Sequence, residues 1–471
     1  MAKGKKLCIF NAHLVDESID SVGMIVVDDG RILSVVQGFF QKEKANELAG
    51  IICSVSKDSV EMVDAQGFVL QPAFIDMHAH FRYPGQTEKE DLATGLQSAA
   101  AGGFGTLVLM PNTNPVVSSV KEAVRICQRA AEYNLADVFQ SVSLTRSFDG
   151  TDTSHLEDLP VYTPGSSALD GAVPVATEDG RDVAAADVML EAMKKCACKN
   201  VTVSCHCEDT FLASAASVFR RRGLELLELG SKTDFANDKL AYQAFEEANR
   251  ILALAEDTAT ERNIDLACSA DCSVHIAHVS TKNSIKTIER AKKSGWRVTC
   301  EVTPHHLGLS VRSNDPSLRH LVNPPLRSEA DRQALLEALC NGTADVVATD
   351  HAPHTAQDKA NGAPGFSGLE TAYAICNTQL VRSGLLSASR LSALMSANPA
   401  RILGLDYGSR PKGRLLPGYA ADLVICDPDL GWLVEGGKFF SKGKYTPLEG
   451  RPLHGRILKT FYKGVCVFQD K

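Results

Sequence analysis

The chain has 471 residues, of which 44% are hydrophobic and 23% are charged, and its formal net charge is −8 at pH 7. That composition is ordinary for a globular protein and excludes a fibre or a largely disordered chain. The acidic balance, with no basic block longer than residues 220–222, disfavours nucleic acid as a partner and favours a small-molecule substrate. Because no apolar run approaches the roughly 18 residues of a membrane span, and polar residues follow the basic start, we expect a cytoplasmic protein without a membrane segment.

The two ends of the chain have the same character. Residues 1–66 contain short apolar runs separated by turn signals, and the sequence Asp28-Asp29-Gly30 is typical of a β-hairpin turn. Residues 411–471 return to this pattern of short strands and glycine-rich turns. We therefore predict that both ends pair into one small β-sandwich domain.

Between these ends, residues 67–410 alternate short apolar runs with amphipathic stretches long enough for helices, such as 88–101 and 119–133. Repeated β-α units of this kind predict a (β/α)8 TIM-like barrel as the catalytic domain of an α/β protein. A doubly wound open sheet is the alternative, because the number of strands does not prove closure. The eight apolar runs are residues 69–78, 105–110, 137–144, 171–176, 201–206, 274–279, 297–303 and 345–349.

Side chains that can bind a metal stand at the ends of five of these runs. His78 and His80 end the first run, and alternate residues of a strand point to the same side. Active sites of barrels lie at the carboxyl ends of the strands, so the side chains that end other runs should converge on this pair. These side chains are Asp179, His206, His278 and Asp350. Their nitrogen and oxygen donors favour zinc, in one or two copies, and a carboxylate such as Asp179 can bridge two ions.

Six segments resemble motifs of the dihydroorotase family, within the amidohydrolase superfamily, in that family's order. They are His78-Ala-His80-Phe-Arg82, Met110-Pro-Asn-Thr113, His206-Cys-Glu-Asp209, His278-Val-Ser-Thr281, Asn323-Pro-Pro-Leu-Arg327 and Ala348-Thr-Asp350-His-Ala-Pro-His354, with Lys359 following. The resemblance runs from about residue 69 to 405, and the tail after residue 413 looks like the superfamily's closing β-domain. It implies a zinc-dependent enzyme of pyrimidine biosynthesis that reversibly hydrolyses (S)-dihydroorotate to N-carbamoyl-L-aspartate.

The resemblance also implies a metal arrangement. His78, His80 and Asp350 would hold one ion, His206 and His278 the other, and Asp179 would be available to both. Asp350 would in addition act as the catalytic proton shuttle, taking a proton from the attacking water and giving it to the departing ring nitrogen.

Substrate contacts follow from the same resemblance. Arg82, Asn112 and His354 would surround the exocyclic carboxylate of the substrate, a task that suits the planar fork of arginine. The ring would be contacted by His80, by Asn323 and by the backbone at Pro364 and Gly365. The family also implies a homodimer, and association with an aspartate transcarbamoylase is open.

Other cyclic amidases of the superfamily are the main alternatives. Hydantoinases, dihydropyrimidinases and allantoinases usually bridge their metals with a carboxylated lysine near the fourth strand, but no lysine lies between Lys121 and Lys194. The segment Thr177-Glu178-Asp179-Gly180 resembles instead the aspartate-containing segment of bacterial dihydroorotases, with Glu178 where that family commonly has aspartate. A further alternative is a catalytically silent subunit beside aspartate transcarbamoylase, although such chains typically lose metal ligands. Residues 219–256 match the family poorly and are expected to form a solvated barrel helix.

Overall fold

The structure is a computed structural model that describes residues 6–230, 235–312 and 320–470. The chain begins with strands β1 (Leu7–Val15), β2 (Asp20–Asp28) and β3 (Arg31–Gln37), helix α1 (Lys42–Ile52), and strands β4 (Glu61–Asp64) and β5 (Val69–Pro72). At the turn between β2 and β3, Asp29 and Gly30 have φ angles of 48° and 72°. A two-residue hairpin loop of type I′ has positive φ at both positions, which aspartate and glycine tolerate, so the predicted turn forms for the expected reason.

Eight parallel strands form the barrel. They are β6 (Phe74–Ala79), β7 (Phe104–Leu109), β8 (Asp137–Gln140), β9 (Val175–Thr177), β10 (Thr202–Cys205), β11 (Val274–Ile276), β12 (Val298–Val302) and β13 (Val346–Val347). The ladders β6-β7-β8 and β9 to β13 are joined by parallel bridges between Val142 and Ala176 and between Ala79 and His351. These two bridges close the ring, so the predicted barrel is confirmed and the open sheet is excluded.

The apolar run 69–78, predicted as one barrel strand, is two strands. β5 pairs with β1 outside the barrel, whereas β6 pairs with β7 inside it. Between them the N–H of Ala73 donates to the carbonyl of Asp422 at 2.9 Å, and here the chain passes from one sheet to the other. Periodicity could not reveal this switch, because every residue of both strands is buried.

Helices lie in the connections between the barrel strands and after the last of these strands. They are α2 (Leu92–Ala101), α3 (Val120–Ala131), α4 (Ala186–Cys198), α5 (Thr210–Gly230), α6 (Phe235–Ser269), α7 (Lys282–Lys293), α8 (Pro304–Gly308), α9 (Glu329–Asn341), α10 (Ala356–Ala360), α11 (Ala372–Cys376), α12 (Ala388–Ser392) and α13 (Asn398–Ile402). Helix α3 begins where the sequence predicts, because the Ser119 hydroxyl accepts the N–H of Glu122 and caps the first turn. No helix among the described residues has the length and apolar character needed to cross a bilayer.

The stretch 219–256 was expected to be a solvated helix, but it belongs to two helices that pack on each other. A Cβ added at Gly223 on α5 would lie 2.6 Å from a ring carbon of Phe245 on α6, so the close approach requires glycine. Phe245 is 1% exposed and packs in a small apolar cluster with Leu226 and Leu321. The inner face of this pair is therefore core, whereas Arg222 on α5 is 58% exposed.

The chain ends with strands β14 (Leu423–Leu433), β15 (Pro452–Tyr462) and β16 (Val465–Gln469). They join the early strands in one sheet of order β16-β15-β14-β5-β1-β2-β3, with β4 paired to β1. The separate sheet is thus built from both ends of the chain, and apolar residues such as Leu14, Ile25 and Leu423 form its own core. The boundaries 1–66, 67–410 and 411–471 stay a prediction.

Candidate active site

Four histidines and two aspartates converge at the carboxyl ends of the barrel strands. They end or follow β6, β9, β10, β11 and β13, where the first turn of each loop directs a side chain toward the barrel axis. The six residues are His78, His80, Asp179, His206, His278 and Asp350, and none is more than 7% exposed. All six metal candidates predicted from the sequence therefore lie in one buried cluster.

The His78 ring is fixed from behind by a carboxylate. Its Nδ1 lies 2.9 Å from Oε1 of Glu301 on β12, so the Nδ1–H donates and Nε2 is left to face the centre of the cluster. This is the arrangement in which a carboxylate orients a metal-binding histidine. Burial disfavours the charged ring, but the carboxylates of Asp179 and Glu301 outweigh it and hold the pKa of His78 well above its usual value.

The His80 ring is fixed by an amide. Nδ1 lies 2.9 Å from Oδ1 of Asn112, and Nδ2 of Asn112 donates to Oδ2 of Asp179 at 3.1 Å. His80 Nε2 thus faces Asp350 Oδ1 at 3.1 Å. Asn112, for which the family resemblance implies a substrate contact, also fixes the side chains of two metal candidates, His80 and Asp179.

Asp179 lies at the centre of the cluster. Its Oδ1 is 3.1 Å from His78 Nε2, 3.6 Å from His206 Nδ1 and 3.8 Å from His278 Nε2, and its Oδ2 is 3.5 Å from His80 Nε2. Burial opposes ionisation of this carboxyl, but the surrounding rings prevail and hold its pKa well below the usual value. The carboxylate is therefore placed to contact ions on either side of it.

The neighbouring Glu178 explains the departure from the family pattern. Its carboxylate accepts the N–H groups of Leu144 and Thr145, each at 2.9 Å, and the Thr145 hydroxyl also donates to it. Glu178 thereby ties the end of β9 to the loop after β8. The longer side chain reaches this loop and takes no place in the cluster itself.

Asp350 is held in the cluster by a neighbouring loop residue. Thr349 donates its N–H to Asp76 Oδ1 at 2.9 Å and its hydroxyl to Asp76 Oδ2 at 2.5 Å, which joins the end of β13 to β6. Burial would raise the pKa of Asp350, but the contact with His80 and the charge of His78 keep it below the usual value. Asp350 is thus ionised at neutral pH and can accept a proton.

Two features of the cluster fit a divalent cation. His78 Nε2 and Asp179 Oδ1 are both buried and have no hydrogen-bond partner within the described residues, although they lie 3.1 Å apart. Ligand atoms within 4.8 Å of one another also occur in the sets His78, His80, Asp350 and His78, Asp179, His278. Buried nitrogen and oxygen atoms that face one another without hydrogen bonds are the donor set that a zinc-like ion satisfies. His206 lies outside both sets, and its Nδ1 is 2.8 Å from His278 Nε2.

The predicted carboxylate-binding group lies beside this cluster. An N–H of Arg82 donates to His354 Nε2 at 3.3 Å, and Arg82 Nε donates to the carbonyl of Pro353 at 3.4 Å. Burial and the charge of Arg82 lower the pKa of His354 to about 3, so this ring is neutral and can accept the hydrogen bond. A Cβ at Gly365 would lie 2.8 Å from Ala352 Cβ and 3.4 Å from His354 Nε2, so the backbone approaches the pair closely.

Asn323 lies against His206, at the predicted second ion position. Its Nδ2 donates to Glu208 Oε2 at 2.6 Å and lies 3.3 Å from His206 Nε2. Pro364, the other backbone site predicted to contact the substrate, precedes Gly365 in the chain. The structure thus brings the predicted substrate residues to the rim of the metal cluster.

Three residues of this site have backbone φ angles in the left-handed region. Arg82, His278 and Asp350 have φ angles of 54°, 32° and 47°, a region that residues with a Cβ rarely adopt. Such conformations persist where the surrounding structure enforces them, and they often occur at functional sites. Arg82 is a substrate contact that the family resemblance implies, and His278 and Asp350 are predicted metal ligands.

Sequence reasoning missed Glu301. Its Oε1 contacts His78 Nδ1 and accepts the N–H of His278 at 3.1 Å, and its Oε2 lies 3.2 Å from His275 Nε2. Its signal is a single acidic residue inside the apolar strand Val298–Val302, where burial demands partners. Asp76 gives a similar signal in β6.

Comparisons with known proteins agree with this geometry. A model of the amidohydrolase family matches residues 69–467. A dihydroorotase of Clostridium botulinum is 37% identical over 459 residues, which cover 98% of this chain and 98% of that protein. A dihydroorotase of Bacillus cytotoxicus is 36% identical over 432 residues, which cover 90% of this chain and 93% of that protein.

Solved structures share the fold. An L-hydantoinase (dihydropyrimidinase) from Arthrobacter aurescens superposes with a TM-score of 0.80 at 23% identity, covering 99% of this chain and 96% of that one. A dihydropyrimidinase from Brevibacillus agri gives a TM-score of 0.75 at 21% identity, with 99% and 95% covered. At this level of identity the likeness establishes the barrel with its additional sheet.

Proposed function

This chain belongs to the amidohydrolase family, and we propose that it catalyses the reversible hydrolysis of (S)-dihydroorotate to N-carbamoyl-L-aspartate. The observation that carries the proposal is the position of Asp179, a carboxylate at the centre of four histidines where other cyclic amidases place a carboxylated lysine. The full-length likeness to dihydroorotases supports the same substrate. The enzyme is a cyclic amide hydrolase.

We propose zinc as the metal, in one or two copies. His78, His80 and Asp350 would hold one ion, and His206 and His278 the other, with Asp179 between them. A bound divalent ion would polarise the scissile carbonyl and lower the pKa of the attacking water.

The proton transfer is assigned to Asp350. The oxygen of water adds to the ring carbonyl carbon while Asp350, ionised and 3.1 Å from His80, accepts a proton from that water. The carbon–nitrogen bond of the ring then breaks, and Asp350 returns the proton to the departing nitrogen. One water is consumed, and the chain is left in its starting protonation state.

Binding of the substrate is assigned to the rim. Arg82 would pair with the exocyclic carboxylate, and neutral His354 would hold the guanidinium in position through its Nε2. Asn112 would contact the same carboxylate, and Asn323 with the backbone at Pro364 and Gly365 would contact the ring. His80 would serve both the ion and the ring.

The assignment is tested by parallel assays on dihydroorotate, hydantoin, dihydrouracil and allantoin, with metal content measured on the same sample. We expect turnover of dihydroorotate to exceed that of the other three substrates, none of which carries an exocyclic carboxylate. Preference for one of those three would replace the assignment with another cyclic amidase. A metal-replete sample inactive on all four would indicate a non-catalytic subunit.

We further propose that the chain forms a homodimer and can associate with an aspartate transcarbamoylase. Both proposals rest on the resemblance to dihydroorotases. Light scattering of the purified protein, alone and with the transcarbamoylase of the same organism, tests them. A monomer that does not change mass on mixing would contradict both.

A further inference from the structure

Four consecutive residues at the rim of the site are each held by a side chain from elsewhere in the chain. The His320 ring is hydrogen-bonded to the Tyr445 hydroxyl. The carbonyl of Leu321 accepts Lys359 Nζ at 3.1 Å, and the carbonyl of Val322 accepts an N–H of Arg220 at 3.1 Å. The fourth residue, Asn323, reaches Glu208 and His206. The segment 320–323 is thus anchored at every residue, including Asn323, the predicted substrate contact.

Lys359 joins this segment to the second loop at the rim. Its ammonium donates to the carbonyls of Leu321, Ala363 and Gly365 at 3.1, 2.6 and 2.8 Å. An ammonium has three donors, so all of its hydrogen-bonding capacity goes to backbone. Its Nζ also lies 4.8 Å from the centre of the Tyr445 ring, which favours the cation. The N–H of Gly365 donates to the same Leu321 carbonyl at 3.1 Å and closes the link.

Arg220 belongs to the basic run of residues 220–222, for which the family resemblance implies no role. It lies on α5, and its Nε is buried, whereas Arg222 two residues later is 58% exposed and paired with Glu225. Burial of a guanidinium is costly unless the group makes polar contacts. A terminal N–H of Arg220 donates to the Val322 carbonyl at 3.1 Å, next to the carbonyl held by Lys359, while the buried Nε has no hydrogen-bond partner among the described residues.

The two cations are close enough to affect each other. Burial and the charge of Arg220 lower the pKa of Lys359 to about 8. Two like charges brought together at neighbouring carbonyls oppose each other, so the arrangement is kept by the hydrogen bonds to backbone and by Glu208, which raises the pKa of Arg220 against the effect of burial.

We propose that Lys359 and Arg220 are positioning residues, which hold the backbone at Leu321 and Val322 so that Asn323 and the loop at Gly365 meet the substrate ring. This inference rests on the proposed function, because it assigns the two loops to the substrate of that reaction. Neither cation touches the reacting atoms. Their effect is on the placement of an amide and of a glycine backbone that contact the substrate.

The test compares Lys359→Met and Arg220→Met with Arg222→Met, a matched control from the same basic run. For both test variants we expect KM for dihydroorotate to rise at least about 10-fold with kcat changed less than about 3-fold, because binding contacts are lost in ground and transition state alike. Arg220→Lys keeps one donor for the Val322 carbonyl, so it should recover most of the affinity. Arg222→Met should match the parent chain, and metal content should be the same in all variants.

Hydrogen exchange of peptides covering residues 320–327 and 361–368 gives a readout that does not depend on turnover. We expect faster exchange in Lys359→Met and Arg220→Met and no change in Arg222→Met. Faster exchange in the two variants, together with a parent chain that does not turn over dihydroorotate, would leave the positioning role standing and overturn the proposed function. Unchanged exchange, or an unchanged KM in an active enzyme, would overturn the positioning role. If Lys359→Met does not fold, the Arg220 variants decide between these outcomes.

Discussion

His78 Nδ1 lies 2.9 Å from Glu301 Oε1, and the same oxygen accepts the N–H of His278 at 3.1 Å. The buried carboxylate of Glu301 thus orients the ring of His78, at the first proposed ion position. It also fixes the backbone of His278, at the second position. Because Glu301 is 1% exposed, it is screened from solvent and acts through these contacts. The two proposed positions are mechanically linked through it.

Glu301→Gln should weaken metal binding without unfolding the barrel. The amide keeps the shape of the side chain but loses the charge that holds the His78 ring, and changes of this kind typically cost about 10- to 100-fold in metal affinity. Titration with a competing chelator measures the effect. Glu289→Gln, at a partly exposed position of α7 where the carboxylate pairs with Lys293, is the control. Equal affinities in the two variants would contradict the role of Glu301.

Asp350→Asn should abolish turnover while sparing the fold. Loss of the group that moves the proton should lower kcat by about 10²- to 10⁴-fold. Loss of a proposed metal ligand should lower it further. The measurements are kcat on dihydroorotate and the thermal unfolding midpoint. A variant with a near-normal rate would remove Asp350 from its assigned role.

Arg82→Met should discriminate between substrates. Because the guanidinium is assigned to the exocyclic carboxylate, kcat/KM for dihydroorotate should fall roughly 10²-fold, in line with the loss of a charge-assisted pair of hydrogen bonds. Dihydrouracil lacks that carboxylate, so any activity on it should be unchanged. An equal fall in kcat/KM on both substrates would show that Arg82 supports the structure of the site and does not bind the exocyclic carboxylate.

Asp137→Asn should destabilise the chain at neutral pH and lose its effect in acid. Asp137 begins β8 and meets Lys412 at 2.6 Å and the Tyr462 hydroxyl at 2.5 Å, which joins the barrel to the tail. Burial opposes ionisation, but Lys412 and Arg410 prevail and depress the pKa of Asp137. A depressed carboxyl pKa gives stability that is present above the unfolded value of about 3.9 and is lost as pH falls toward the folded value.

We therefore expect the thermal midpoint of Asp137→Asn to lie below that of the parent chain at pH 7, by an amount that corresponds to about 1–3 kcal/mol. The gap should narrow as pH falls from 5 to 3. A gap of constant size over this range would show that the charge of Asp137 contributes nothing.

Much of the site could be predicted because its residues sit at positions that barrel geometry makes special. A histidine or aspartate directly after a strand of a parallel barrel points to one place, so His206 and Asp350, separated by more than a hundred residues, could be assigned to the same cluster. The pairing of the chain ends was likewise predictable from their shared pattern of short strands and turns.

The supporting residues could not be assigned from sequence because their roles depend on distance across the barrel. Glu301 sits inside a strand, and only the closed ring brings it to His78. Arg220 lies in a run of three arginines whose members the sequence cannot distinguish, since burial is set by the packing of α5 on α6. The division of the run 69–78 into β5 and β6 depends on Asp422, more than three hundred residues away.

The most direct test of the account follows dihydroorotate hydrolysis by the same protein sample when loaded with zinc, after chelator treatment, and after zinc is restored. We expect formation of N-carbamoyl-L-aspartate with the loaded protein, its loss on chelation, and recovery on reloading. Hydrolysis that survives complete removal of the metal, or its absence from the zinc-loaded protein, would contradict the account.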